Sequence, residues 1–425
     1  MLSVITPVHP PHFGFLEAAY KTLLEQTHED WEWIVAPQGT LTHQFTGVLD
    51  SRAKVCPVSL PPNSKYPPIG FLKKFCADRV NGDVIVEFDA DDLLHPECLM
   101  EVRRAFDDPL VAMAYSNNAG FDNDTWKPRT FVESHGWRTR PVMYQGHELQ
   151  ETLHFGIGPQ ALRSILYSPD HVRAWRRSAY EEVGGHDPSI QNGDDHELMC
   201  KMYARFGKQG IHHIERCLYF YRWHSENTCQ KHNPDVFSQV DRNYCKYRTS
   251  MATQWAEENG LRKLDLGGRF NGWPGYETVD MESGSNITWD LNADWDFAAD
   301  NSVGVLRASH ILEHLRDPIH AMNEAYRVLA PGGWLLCEVP STDGRGAFQD
   351  PTHVSYWNEH SFWYYTRREF ARFIQPKYIG RFQMARSVTF FAGEFEQRHN
   401  IPWVQADMIA LKPPYSDNAP GAQDI

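Results

Sequence analysis

Two blocks of alternating strand and helix patterns, joined by a polar helical stretch, predict an α/β chain of two doubly wound domains. Three observations carry that expectation. The run Val84-Ile-Val-Glu-Phe-Asp-Ala-Asp-Asp92 reads as an apolar strand that ends in a cluster of carboxylates. A strand followed by a glycine turn, Lys263-Leu-Asp-Leu-Gly-Gly268, restarts the rhythm late in the chain. The length, 425 residues, exceeds what one ordinary core organises. Such alternation implies mostly parallel sheets, whose ligands bind beyond the C-terminal ends of the strands.

The elements follow in order. A first strand at Leu2-Ser-Val-Ile5 meets the turn-rich Thr6-Pro-Val-His-Pro-Pro-His12, and a helix is expected over about 15–26. A second strand, Trp31-Glu-Trp-Ile-Val35, closes at Pro37-Gln-Gly39. A third is expected near 54–60, before a Pro-rich loop at 61–68. A helix over 70–80 carries Lys73, Lys74 and Arg79 into the acidic strand. The polar segment 235–259 predicts a helical connector, with a boundary near Gly260. The expected domains are therefore 1–234 and 260–425, with a loosely held tail past Pro413.

Composition narrows the function. Hydrophobic content of 41% with 13% aromatics is a globular balance, and a net charge of −14 disfavours nucleic acid as a partner. A stretch of about 18 apolar residues is missing, so no membrane span is expected. The chain opens on a strand pattern without a basic and apolar leader, so no secretory signal is expected. Eight cysteines without a C-x-x-C pair point neither to a zinc site nor to an oxidising compartment. The expected location is cytoplasmic.

Carboxylates at the end of a strand, here Asp89 and Asp91, suit a hard divalent cation that neutralises a substrate diphosphate. Thr6 and Pro7 end the first strand, a usual place for a nucleotide, and with Lys74 they are expected on the donor. In Asn192-Gly-Asp-Asp-His-Glu197, Asp194 and Glu197 have the spacing of a capping box opening a helix over 198–206. That leaves Asp195 free to face a cleft as a general base. In Tyr221-Arg-Trp-His-Ser-Glu-Asn-Thr228 a strand runs into a polar loop, and His224 is either a surface residue or a second ligand beside Asp91.

In this order along about 1–230, these residues resemble the inverting family-2 glycosyltransferases of the GT-A fold. The resemblance implies that Asp89 contacts the donor ribose and that Asp91 holds Mn²⁺ or Mg²⁺ on the diphosphate. It implies that Asp195, in the pair Asp194-Asp195, deprotonates the acceptor hydroxyl and that His224 joins the metal. The partners implied are a nucleotide-sugar donor and a glycan or glycolipid acceptor. One departure is plain: after the second strand the family has an acidic turn for the base, and this chain has Ala36-Pro-Gln-Gly-Thr40.

In the second half, glycine after a strand lets a cofactor approach the backbone closely. Tyr276-Glu-Thr-Val-Asp280 ends the next strand with an acid able to bond a ribose hydroxyl. Trp289-Asp-Leu291, the strand from Gly304, and Ala330-Pro-Gly-Gly-Trp334 between helix and strand follow. Over about 261–412 this order is similar to class I S-adenosylmethionine-dependent methyltransferases. The resemblance assigns Asp265, Gly267 and Gly268 to the methionine end of that cofactor, Asp280 to its ribose and Asp290 to its adenine. Arg269 and Asn271 stand where the family has its later glycines.

A sugar hydroxyl needs a base or a metal before it accepts a methyl group. His353 and Asp350 would supply either, and His310 follows the fourth strand near the cofactor. The aromatic run Phe362-Trp-Tyr-Tyr365 reads as a sugar-stacking wall or as core. The expected fold is a Rossmann-like GT-A domain followed by a class I methyltransferase domain, and the expected function is bifunctional. The alternative is a single-activity enzyme in which one half is a non-catalytic acceptor-binding module.

Overall fold

The computed structural model describes residues 1–41, 43–58, 67–227, 231 and 233–413. The end of the expected third strand, most of the Pro-rich loop, Thr228 and the tail from Pro414 lie outside the described residues. The chain divides into two compact units, Met1–Arg248 and Thr249–Ile425. Where the connector was expected, a helix runs over Asn233–Glu258, and the division falls within it. It stops at Gly260, whose φ is +64°, with Gly260 N–H on Glu257 O and Leu261 N–H on Ala256 O. That pair of bonds closes a helix end, and glycine takes the left-handed position without a Cβ penalty.

The first unit is built on an eleven-stranded mixed sheet. Its parallel part runs Ala53–Val55, Trp31–Pro37, Leu2–Val8 and Val84–Glu87. Val4, Trp33, Ile34, Val35 and Val86 are wholly buried, as strands covered on both faces require. Arg173–Arg176 then pairs antiparallel with Val84–Glu87, so the sheet is less uniformly parallel than strand–helix alternation suggests. Met113–Asp122 and Ile211–Trp223 continue it, and the short strand Leu93–Leu94 pairs antiparallel with Tyr219 and Phe220. The helix Leu16–Leu24 buries Leu16, Ala19, Tyr20 and Leu23, a spacing that puts one face on the core. The predicted turn residues 10–15 form a 3₁₀ segment ahead of it.

The second unit holds a seven-stranded sheet in the order Ile287–Thr288, Glu277–Asp280, Arg262–Leu266, Val303–Ser309, Leu329–Pro340, Trp403–Ala410, Phe382–Phe390. The first five strands are parallel, and Trp403–Ala410 pairs antiparallel with both of its neighbours. The helix Pro318–Val328 starts with Asp317, whose carboxylate accepts from the backbone of Ile319 and His320. The Pro-Gly-Gly turn is a bulge inside the following strand: Val303 faces Leu329, Val305 faces Trp334, and Gly332 has φ +80°. Phe362 and Tyr365 belong to the core of this unit, which decides against a wall formed by the whole aromatic run. Among the described residues no helix is long and apolar enough to cross a membrane.

Beside the first strands, Glu32 is 4% exposed and accepts from Ser3 Oγ at 2.7 Å and Asn81 Nδ2 at 2.8 Å, with Lys54 Nζ alongside. Gly82 lies so close that a Cβ there would stand 2.6 Å from Ser3 Oγ. Burial alone would raise the Glu32 pKa, but Lys54, Asn81 and Ser3 outweigh it and hold it at about 2. The folded value lies below the ordinary 4.5, so this stabilisation is complete above about pH 4.5 and is lost as pH falls toward 2. Glu32→Gln is expected to cost about 1–3 kcal/mol at pH 7 and less at low pH. Urea unfolding of both proteins from pH 2 to 7 reads this, and a cost that does not shrink with acid would assign the acid sensitivity elsewhere.

Candidate functional site

Strand register assembles the site in the first unit. Antiparallel pairing sets Arg173 opposite Glu87. Two residues outward on each strand, His171 comes to Asp89, with Nε2 3.2 Å from Oδ2. Pairing of Leu93 and Leu94 with Phe220 and Tyr219 likewise brings the residues before Leu93 toward those after Phe220. Arg222 N–H donates to Asp92 Oδ1 at 2.7 Å, and Tyr219 Oη donates to Asp92 Oδ2 at 2.7 Å. One turn further, His224 Nε2 lies 2.8 Å from Asp91 Oδ2. His12, in the 3₁₀ segment after the first strand, places Nδ1 3.8 Å from the same oxygen.

His12, Asp91 and His224 thus offer three ligand atoms within 4.8 Å of one another. An anionic oxygen between two imidazoles is a donor set that fits a divalent cation. Sequence reasoning found Asp91 and His224 and missed His12, although its position just past a strand end was a signal. The acidic turn is electrostatically divided. Burial would raise Asp89, but His171 outweighs it and holds the carboxyl below the usual range. Burial, then Asp91 and Asp89, push Asp92 well above it.

Behind the turn lies a buried ionic cluster. Glu87, 1% exposed, accepts from Trp175 Nε1 at 2.7 Å and stands 3.0 Å from Lys73 Nζ, 3.3 Å from Arg173 Nε and 3.1 Å from His186 Nε2. Lys73 also lies 3.4 Å from Asp194 Oδ2. Arg173 Nη2 reaches Asp195 Oδ2 at 3.0 Å and His171 Nε2 at 3.2 Å. A chain of contacts therefore joins Asp195 through Arg173 and His171 to Asp89. Burial would raise Asp195, but Arg173 and Lys73 outweigh it, so the carboxyl stays ionised at neutral pH.

Three expectations change here. The helix begins at Asp194 itself, with Gly193 at the cap and no side-chain cap bond, so Asp194 is an ion-pair partner and not a capping residue. Lys74 turns to Asp78 at 2.9 Å on the exposed side of its helix, and the neighbouring Lys73 is the buried cation instead. Thr6 is fully buried, donates to Phe88 O at 2.7 Å and accepts from Trp33 Nε1 at 2.8 Å. Its hydroxyl ties two strand ends together and is not turned to a ligand, whereas Pro7 beside it is partly exposed.

In the second unit, Gly267 follows the strand Arg262–Leu266 with φ +72° and has no room for a side chain, since a Cβ would meet Ile311 at 3.0 Å. Asp265 lies beneath this turn, accepting from Trp273 N–H at 2.8 Å and paired with Arg307 Nη1 at 2.8 Å. Burial still raises its pKa, with those partners opposing. A Cβ on Gly268 would stand 2.9 Å from Asp265 Cγ. Asp280 ends the adjacent strand and accepts from Glu282 N–H at 3.0 Å. Trp289 N–H donates to Asp280 O at 2.8 Å, which brings the Asp290 segment beside it. Asp290 is exposed and held by Asn292 N–H at 2.9 Å. The narrow turn, the acid on the neighbouring strand and the exposed acid beyond fit an extended adenosine-containing cofactor.

His310 leaves the fourth strand in a left-handed conformation, φ +53°, with Nδ1 3.4 Å from Glu313 Oε1 and its ring edge-on to Trp403. His353 directs Nδ1 to Ala347 O at 2.8 Å and packs against His314. Asp350 keeps its distance: Thr352 occupies Oδ1, and Oδ2 stands 4.0 Å from His353 Nε2.

Two family models match the chain, one after the other. A model of the glycosyl transferase family 2 matches residues 3–183, and a methyltransferase domain model matches residues 239–375. The chain is similar to the O-antigen biosynthesis protein RfbC of Myxococcus xanthus, 26% identical over 229 residues, which are 52% of this chain and 16% of that protein. The chain thus spans about a sixth of the length of this curated relative. Among solved structures it is similar to residues 1–349 of S. aureus TarS in complex with UDP-GlcNAc, at 14% identity and TM-score 0.43 over 60% of this chain and 66% of that one. It is also similar to GalNAc-T7 with UDP, GalNAc and Mn²⁺, at 14% identity and TM-score 0.40 over 53% and 44%. The chain thus carries a glycosyl transferase family 2 region followed by a methyltransferase region.

Proposed function

We propose that the first domain transfers a sugar from a nucleotide-diphosphate sugar to a glycan or glycolipid acceptor with inversion. The second domain then O-methylates a sugar hydroxyl with S-adenosylmethionine. The functional division is 1–234 and 260–425, the two halves serve cell-surface polysaccharide synthesis, and the work is done in the cytoplasm. The O-antigen biosynthesis relative RfbC supports the pathway class. The observation that carries the reading is the meeting of His12, Asp91 and His224 beside Asp89 and the ionised Asp195.

In this mechanism Asp89 contacts the donor ribose, and Asp91, His224 and His12 would hold Mn²⁺ or, less well because two of the three ligands are imidazoles, Mg²⁺. That cation, when bound, offsets charge on the departing diphosphate. Asp195 takes the proton of the acceptor hydroxyl as its oxygen attacks the anomeric carbon from the opposite side. Arg173 fixes Asp195 at 3.0 Å and keeps it ionised. The missing acid after the second strand, a departure from the family pattern, and the burial of Thr6 leave the recognition of the base to backbone groups around Ala36-Pro-Gln-Gly-Thr40 and Pro7.

In the second domain, the turn at Gly267 and Gly268, fixed by Asp265, receives the methionine end of S-adenosylmethionine. Asp280 bonds its ribose and Asp290 lies toward its adenine. S-adenosylmethionine supplies the electrophilic methyl group. His310 and His353 face the acceptor side, where the hydroxyl is to be activated.

Asp195→Asn is expected to lower kcat for glycosyl transfer about 10²–10⁴-fold while donor affinity is retained. Release of the nucleotide, the diphosphate from UDP-, GDP- and dTDP-sugars and CMP from CMP-sugars, with Mn²⁺ or with EDTA, measures it. Asp91→Ala is expected to abolish the metal-dependent release. An active Asp195→Asn enzyme would move the base elsewhere. Silence of the wild type with every donor would favour the reading of this half as an acceptor-binding module.

Asp280→Ala removes one charge-assisted hydrogen bond, worth about 1.5–3 kcal/mol, and is expected to weaken S-adenosylmethionine binding at least ten-fold. Calorimetry on the full chain reads that loss. Donor hydrolysis by the same variant stays at the wild-type rate if the two domains bind their ligands independently.

A further inference from the structure

We propose that Glu313, His314 and His353 form a second divalent-cation site, in the methyltransferase domain, selective for a first-row transition dication. Its open positions take hydroxyl oxygens of the methyl acceptor. One ligand atom from each residue lies within 4.8 Å of the other two.

The carboxylate supplies the strongest indication. Glu313 is 2% exposed, and neither of its oxygens meets a hydrogen-bond donor. His310 Nδ1 stands 3.4 Å from Oε1, outside hydrogen-bond geometry. A buried carboxylate without donors is costly unless a cation or proton compensates it. Both oxygens are therefore open to a metal ion.

Each imidazole is fixed through one ring nitrogen. His353 Nδ1 lies 2.8 Å from Ala347 O, and His314 Nδ1 lies 3.3 Å from Thr352 O and 3.2 Å from Thr352 Oγ1, whose hydroxyl donates to Asp350. A carbonyl only accepts, so a proton on each Nδ1 leaves the Nε2 lone pair for a ligand role. Fixing a ligand histidine through its other nitrogen is the usual support of a metal site.

The backbone joins the two halves of the cluster. Glu313 O accepts from Val354 N–H at 2.8 Å and Ser355 N–H at 3.0 Å. Ser355 Oγ adds a bond to Leu312 O at 2.8 Å. The segment carrying His353 is thus sewn to the 3₁₀ turn Leu312–His314, directly after the strand that ends at Ser309. That end of the sheet is where ligands of such folds lie.

Two imidazoles and one carboxylate favour Zn²⁺ or Fe²⁺ over the oxygen-seeking Mg²⁺ and Ca²⁺. Three protein ligands leave positions free, the pattern of reactive rather than structural sites. A hydroxyl bound there loses its proton more readily, which is what a sugar needs before it accepts methyl. The acceptor half of this inference rests on the proposed sugar O-methylation, whereas cation binding does not.

Co²⁺ titration of the full chain, followed by visible absorption and calorimetry, tests it. Asp91→Ala removes the site in the first domain, so one equivalent of Co²⁺ is expected in that variant. Adding His353→Ala, His314→Ala or Glu313→Gln is expected to weaken its binding about 100-fold or more. S-adenosylmethionine binding of each variant reports that the domain is folded, and the partly exposed His314 guards against loss of fold at the buried Glu313. Excess Mg²⁺ is expected to leave the Co²⁺ spectrum unchanged.

Absence of Co²⁺ binding in Asp91→Ala overturns the site, as does binding that the His353 and His314 substitutions leave unchanged. Methylation at full rate by metal-free protein overturns its role on the acceptor. Cation binding as expected without methylation of any glycan supports the site and counts against the sugar acceptor alone.

Discussion

Glu87 is the constraint on which the first domain depends. A carboxylate that is 1% exposed at the end of a central strand has lost its water, and only neighbouring charge makes that tolerable. Lys73 arrives from the helix Ile69–Ala77, Arg173 and Trp175 from the antiparallel strand, and His186 from the loop before the next helix. Three separate segments are thereby bound to one side chain. Burial opposes the charge on Lys73, but Asp194, Glu87 and Asp195 outweigh it and keep the ammonium protonated. The cations in turn keep Glu87 ionised against its own burial.

The same charges set the chemistry at the surface of the cluster. Arg173 spends one face on Glu87 and the other on Asp195, so the proposed base is oriented by the group that stabilises the strand. Along the register, His171 stands to Asp89 as Arg173 stands to Glu87. The acidic turn is thus a gradient: compensated at Glu87 and Asp89, shared with imidazoles at Asp91, and pushed toward the neutral form at Asp92. A cation has an evident place beside Asp91, where the neighbouring groups are imidazoles able to act as ligands rather than the fixed charges of Lys or Arg.

In the second domain the corresponding device is smaller. Asp265 holds the glycine turn by accepting from Trp273 N–H and pairing with Arg307 on the adjacent strand. With that carboxylate committed, the turn keeps a fixed shape although Arg269 and Asn271 replace later glycines. Glu313 is the contrast, equally buried but without such partners.

Much of this was legible in the residues themselves. The apolar run Val84–Glu87 and the alternating Lys263-Leu-Asp-Leu266 identify strands, and the acid or glycine that follows each marks the ligand side of its sheet. The pairing of Asp91 with His224 was also within reach, because both follow apolar strands in a familiar order. Local pattern failed where a residue's role depends on a distant partner. The spacing of Asp194 and Glu197 is that of a cap, yet Lys73 and His186 draw Asp194 into the interior. Lys73 and Lys74 are equivalent in sequence, and only the rotation of their helix on the sheet buries one and exposes the other. His12, Arg173 and Glu313 carry no local signal strong enough to single them out. By itself, then, the sequence determined the two-domain order, the strands and the kinds of ligand group available. The tertiary structure decided which of those groups meet, because strand register and burial, acting across more than a hundred residues between Asp91 and His224, set the distances and charges on which chemistry depends.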